Sequence, residues 1–149
     1  MRCHFLIIEA RFYPDLADEL VEGAAAELEE RGATFDRISV PGVLEIPAAL
    51  SMALKAHGSE HRYDGYVLLG CVIRGETTHY DIVANESARA IMTMVAERAL
   101  AVGNGILTVE NRAQARARAK AGKKNKGVAA AAAAYEMAAL RQKLRLSHG

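Results

Sequence analysis

Apolar side chains gather along this chain in four short runs, and between the runs they recur every three or four positions. The first run is Phe5-Leu6-Ile7-Ile8, with Glu9 to Tyr13 reading as the loop after it; residues 33–40, with Phe35, Ile38 and Val40, form the second. The third, Val67-Leu68-Leu69 with Cys71, Val72 and Ile73, is apolar almost without a break, as in a parallel strand covered on both faces. Ile106-Leu107-Thr108-Val109 is the fourth, and Gly103-Asn104-Gly105 reads as the turn that leads into it. After the first run, Leu16, Leu20, Val21, Ala24, Ala25 and Leu28 make one buried stripe of a helix that Pro14 opens and Gly32 closes. Further helices are predicted over 48–56, from His79 to about Val102, and from Gly127 to Leu146. Strand and helix alternate throughout, which predicts an α/β fold: a three-layer α/β/α sandwich with a four-stranded parallel sheet and right-handed crossovers.

Two stretches add to this frame. In the helix from His79, the residues Ile82, Val83, Ile91, Met92, Met94, Val95, Ala99 and Leu100 cover more than one stripe. Such a helix is buried on two sides, by its own sheet and, most simply in a small domain, by another subunit. Pro41 and Pro47 bracket a segment, Gly42-Val43-Leu44-Glu45-Ile46, that reads as extended chain delivering a helix at Ala48.

Composition narrows the classes. The 149 residues suit one domain, 1–149, with a core of its own. A net charge of +1 gives no global reason to expect nucleic acid or a membrane surface, and no apolar run reaches spanning length. The first residues enter a strand pattern directly, with no secretory leader, and Cys3 and Cys71 lack C-x-x-C spacing; a reduced, cytoplasmic protein with two packing cysteines is expected. Arg112 to Lys126 holds seven Arg or Lys and no acid, the pattern of a solvated helix face that can also offer phosphate contacts. His57 and His61 have helical spacing, but Gly58 interrupts any helix between them, so no metal site is expected.

Candidate chemistry concentrates where strands end. Arg74-Gly75-Glu76-Thr77-Thr78 turns the third strand into a helix whose first N–H groups and dipole favour an anion. His79 opens that helix and exchanges protons near neutral pH. Phe12 follows the first strand, as a lid on the core or as a stacking platform; Glu45 follows the second, as a helix-terminal acid or as an acceptor for ligand hydroxyls. In an open parallel sheet these positions share one edge. An aromatic face, a carboxylate, an anion cradle and a titratable His suit a flat polyhydroxylated ring and a phosphate ester.

These residues also carry a resemblance. Ala10-Arg11-Phe12, Pro41-Gly42-x-x-Glu45-Ile46-Pro47, Val72-Ile73-Arg74-Gly75-Glu76-Thr77-Thr78-His79-Tyr80-Asp81 and Thr108-Val109-Glu110-Asn111 through Asn125-Lys126-Gly127 resemble the lumazine synthase family over nearly the whole chain, in order and spacing. The resemblance implies a flavodoxin-like fold and a transferase-class, cofactor-independent condensation in riboflavin biosynthesis. In it, 5-amino-6-(D-ribitylamino)uracil and 3,4-dihydroxy-2-butanone 4-phosphate give 6,7-dimethyl-8-ribityllumazine, phosphate and water. It further implies that Phe12 stacks on the pyrimidine, that Glu45 binds the ribityl chain, and that backbone at Val43, Leu44, Val72 and Ile73 reads the ring edge. Glu76 and Thr77 would hold phosphate together with Arg118 and Lys126 of an adjacent subunit, and His79 would shuttle protons.

Where Asn104 stands, many relatives place an aromatic from the adjoining subunit as second wall of the ring pocket, which leaves open a paralogue that binds lumazine or flavin with little synthesis. Tyr13 replaces the family's commoner Asn. The short segment before the first strand favours an isolated homopentamer over a shell.

Overall fold

A computed structural model describes residues 2–56, 63–122, 124–144 and 146. Four strands, β1 (His4–Ala10), β2 (Thr34–Val40), β3 (Gly65–Ile73) and β4 (Val102–Val109), alternate with helices. These are α1 (Pro14–Glu30), α2 (Ile46–Ala56), α3 (His79–Arg98), α4 (Arg112–Ala119) and α5 (Lys126–Lys143). The sheet has the order β2-β1-β3-β4 and every pair is parallel, with Ile7 beside Val67 and Leu69 beside Gly105. Among the described residues no helix is long and apolar enough to cross a membrane.

Strand alternation divides the core in two. Phe5, Ile7, Val67, Leu69, Leu107 and Val109 face α1, α4 and α5, meeting Leu16, Leu20, Ala115 and the α5 alanines Ala130, Ala131 and Ala134. Leu6, Ile8, Leu68 and Val72 face the other way, onto Ile46, Leu50, Val83 and Ile91 of α2 and α3. The expected three-layer sandwich is therefore present, and β3 is buried on both sides along all but its last residue.

Several boundaries differ from the sequence reading, each for a local reason. β1 runs on through Glu9 and Ala10, because Arg11 and Arg37 neutralise the Glu9 carboxylate; Arg37 donates to it at 2.7 and 3.1 Å. The segment between the prolines is not extended: Val43–Glu45 is a 3₁₀ turn, and α2 starts at Ile46. Pro47 is compatible because it stands in the first turn, where an N–H has no intrahelical acceptor. α3 stops at Arg98, since Ala99 adopts a left-handed conformation (φ 52°) and Leu100 N–H closes onto the Val95 carbonyl.

Gly103-Asn104-Gly105 is strand, not turn. The glycine there serves close approach: a Cβ on Gly103 would lie 1.7 Å from the Ala130 carbonyl oxygen of α5. The basic helix α4 has the expected solvated face, with Ala115 and Ala119 buried behind it. The His57–His61 loop lies outside the described residues.

Glu9 is 1% exposed and takes two guanidinium partners that are themselves part-exposed. Glu9→Gln is expected to lower stability by about 3 kcal/mol, the low end for breaking a buried pair, because both arginines can rehydrate. Urea denaturation with an unchanged m-value checks this, and an unshifted midpoint would show the pair to be neutral.

Candidate active site

At the carboxyl ends of β1, β2 and β3 the chain leaves a cleft of about 420 Å³, within the range of small-ligand sites. Its first wall is Phe12 and Tyr13, in the short connection from β1 to α1. The connection is pinned at both ends. Arg11 N–H donates to the Val40 carbonyl at 3.0 Å, and the Arg11 guanidinium bridges Glu9 of β1 and Asp18 of α1. Phe12 itself is 70% exposed, so it does not lid the core. Tyr13 meets it edge-on, ring centroids 5.0 Å apart at 79°.

The second wall is the 3₁₀ turn. Val43 packs into the core, while Leu44 and Glu45 stay exposed along the cleft. The floor comes from Cys71, Val72 and Ile73 at the end of β3. Burial pushes the Cys71 thiol up to about 11, so it lines the floor as a neutral, unreactive group.

The third wall is the turn into α3, contributing Gly75, Thr77, His79, Tyr80 and Val83. Thr77 Oγ1 accepts the His79 N–H at 3.3 Å; Thr78 holds the cap position without a side-chain bond. Arg74, at the start of this turn, is directed elsewhere. It donates to Glu110 at 2.7 Å, lies 3.7 Å from Asp81, and covers the Tyr80 ring at 4.3 Å. The turn is thereby tied to the end of β4 and to the first turn of α3.

The cleft therefore gathers Phe12, Val43, Leu44, Glu45, Val72, Ile73, Thr77 and His79 from the sequence reading. Glu76 is exposed in the turn but is not on the wall. Three others lie away from this chain's cleft. Asn104 sits on the edge strand β4, its Oδ1 accepting the Ile106 N–H at 2.9 Å. Arg118, exposed on α4, donates to the Gln114 carbonyl at 3.0 Å, and Lys126 is exposed at the start of α5.

Tyr80, Val83 and Cys71 are wall residues the sequence reading missed. Val83 stands one helical turn from His79, so spacing alone could have found it. Cys71 alternates with Ile73 along β3, whereas nothing in the local pattern marks Tyr80. Among the described residues, no group of three or more His, Cys, Asp or Glu side chains could hold a metal ion.

Comparison with known proteins follows the same outline. The family model described as 6,7-dimethyl-8-ribityllumazine synthase matches residues 2–142. A protein of that name from Agrobacterium fabrum is 58% identical over 142 residues, 95% of this chain and 96% of the relative. The 6,7-dimethyl-8-ribityllumazine synthase 1 of Rhizobium meliloti is 57% identical over 142 residues, 95% of this chain and 93% of its own. Its namesake from Mesorhizobium japonicum is 54% identical over 145 residues, covering 96% and 88%.

Proposed function

We infer that this chain, which belongs to the 6,7-dimethyl-8-ribityllumazine synthase family, condenses 5-amino-6-(D-ribitylamino)uracil with 3,4-dihydroxy-2-butanone 4-phosphate. The observation that carries this reading is the convergence of Phe12, Glu45, Thr77 and His79 on one cleft at the strand ends. Phe12 offers an exposed π-face for the pyrimidine. Glu45 accepts hydrogen bonds from ribityl hydroxyls, and backbone at Val43, Leu44, Val72 and Ile73 reads the ring edge. The N–H groups at Glu76 and Thr77, with the α3 dipole behind them, hold the phosphate.

The reaction then follows from placement. The pyrimidine amine attacks the ketone carbon, and water leaves as the imine forms. Phosphate departs in an elimination, and ring closure releases a second water. His79, at the mouth of the phosphate cradle, moves the proton in each step. Amine and ketone are otherwise separate solutes, so most of the acceleration comes from holding them together. His79→Ala is accordingly expected to slow kcat only about tenfold, below the usual range for losing a general acid–base. Steady-state assay of lumazine formation tests the whole reading: no product from the wild-type chain sinks it. A complete loss on His79→Ala, with substrate binding intact, sinks the approximation account alone.

We propose further that residues 1–149 act as one domain in a cytoplasmic homopentamer whose adjacent subunits share each centre. Arg118, Lys126 and Asn104 then reach the cleft of a neighbour. Two observations support this. Ile82 and Met92 of α3 are 53% and 59% exposed, two large apolar side chains without cover in the single chain. Arg118 also forms no ion pair among the described residues. Light scattering on the purified protein is expected to give five subunits; a monomer or a shell-sized assembly would overturn it.

A further inference from the structure

Tyr13, beside Phe12 in the connection from β1 to α1, is held by a side chain of α4. The Arg112 guanidinium lies over the Tyr13 ring, 5.6 Å from its centroid. Asp15, in the first turn of α1, pairs with the same guanidinium, and Arg116 approaches that carboxylate at 3.7 Å. Arg112 holds the Asp15 carboxyl below its ordinary range, as expected for a pair formed in the native state. Tyr13 in turn packs on the buried cluster under α1 and presents its ring to Phe12 at 5.0 Å and 79°. Phe12 makes no comparable contact with the core and is 70% exposed. A stacking platform that is free to rotate loses side-chain entropy each time a ligand lands on it.

We propose that Arg112, anchored by Asp15, is a positioning residue for the pyrimidine half of the centre: it fixes Tyr13, and Tyr13 fixes the plane of Phe12. This rests on the synthase reading for the identity of the ring but not for the contact itself. An edge-to-face pair and a cation over a ring each act over a short range, so the effect is confined to the ligand that stacks. The phosphate cradle at Glu76 and Thr77 lies on a different connection, after β3, and is indifferent to the brace. An asparagine in place of Tyr13 offers neither an edge for Phe12 nor a face for Arg112.

The test titrates 6,7-dimethyl-8-ribityllumazine, followed by its own fluorescence, into wild type, Arg112→Ala, Tyr13→Leu and Tyr13→Phe. Tyr13→Phe keeps ring and edge and is expected to bind as wild type. Arg112→Ala and Tyr13→Leu are expected to bind roughly three- to tenfold more weakly. The double variant should be no weaker than the worse single one, because both act through one ring. In the synthase assay Arg112→Ala should raise KM for the pyrimidine by that factor, with kcat and KM for the butanone phosphate unchanged. Wild-type affinity in Arg112→Ala overturns the brace whatever Tyr13→Leu does, as does an equal rise in KM for both substrates. A wild-type chain that binds lumazine but forms none sinks the synthase reading and leaves the binding comparison to decide the brace. A wild-type chain that does not bind lumazine overturns both.

Discussion

Gly103→Ala is expected to destabilise the fold by more than about 3 kcal/mol, at or beyond the upper end for overpacking a core. The new Cβ would stand 1.7 Å from the Ala130 carbonyl oxygen and 2.6 Å from its carbon. Both are backbone atoms of α5, in its second turn, so no rotamer change relieves the clash. Either α5 retreats from β4 by roughly 1.5 Å, opening a gap under its alanines, or β4 twists away from β3. Domains of this kind hold only about 5–15 kcal/mol in reserve, so the loss should appear as poor soluble yield or a large fall in the urea midpoint. A variant within about 0.5 kcal/mol of wild type would mean that the helix does not ride directly on the strand.

Arg118→Ala is expected to raise KM for the phosphate-bearing substrate about a hundredfold, with KM for the pyrimidine and the urea midpoint unchanged. A guanidinium makes two parallel charge-assisted bonds to a phosphate, together on the order of 3 kcal/mol. At 1.4 kcal/mol per decade that is about two decades. Among the described residues of one chain the guanidinium bonds only a carbonyl of its own helix, so removing it costs the fold little. The origin of the group can be tested separately. If it serves the neighbouring cleft, mixed oligomers of Phe12→Ala and Arg118→Ala chains regain activity at low substrate, because some clefts pair an intact Phe12 with an intact Arg118. No recovery in mixed oligomers would contradict a shared centre.

Much of this architecture was readable from the residue pattern, for physical reasons. β3 announces itself because a strand buried on both faces has no polar positions to interrupt it, and the rule that ligands collect at strand ends then gathers Phe12, Glu45, Thr77 and His79. The failures also have causes. Gly103 and Gly105 carry the local signature of a turn, and only the approach of α5, more than twenty residues later in the chain, explains them as strand. Pro47 likewise looks like a barrier until its place in the first turn of α2 is known. The brace on Phe12 was invisible because Asp15 and Arg112 lie 97 positions apart, and no periodicity links them.

The alanines of α5 form a template of shape. Ala130, Ala131, Ala134 and Ala138 are all buried, and Tyr135 among them stacks on Phe5 with centroids 6.1 Å apart. Residues 129–134 are identical, so a copying error that adds or drops one alanine leaves composition and helix propensity almost untouched. It nevertheless turns everything downstream by about 100° around the helix axis. Tyr135 would swing off Phe5, and with an added alanine Met137 would take the interior place of Ala138. The monotony of this tract thus hides a strict phase, which the gene must keep by length alone.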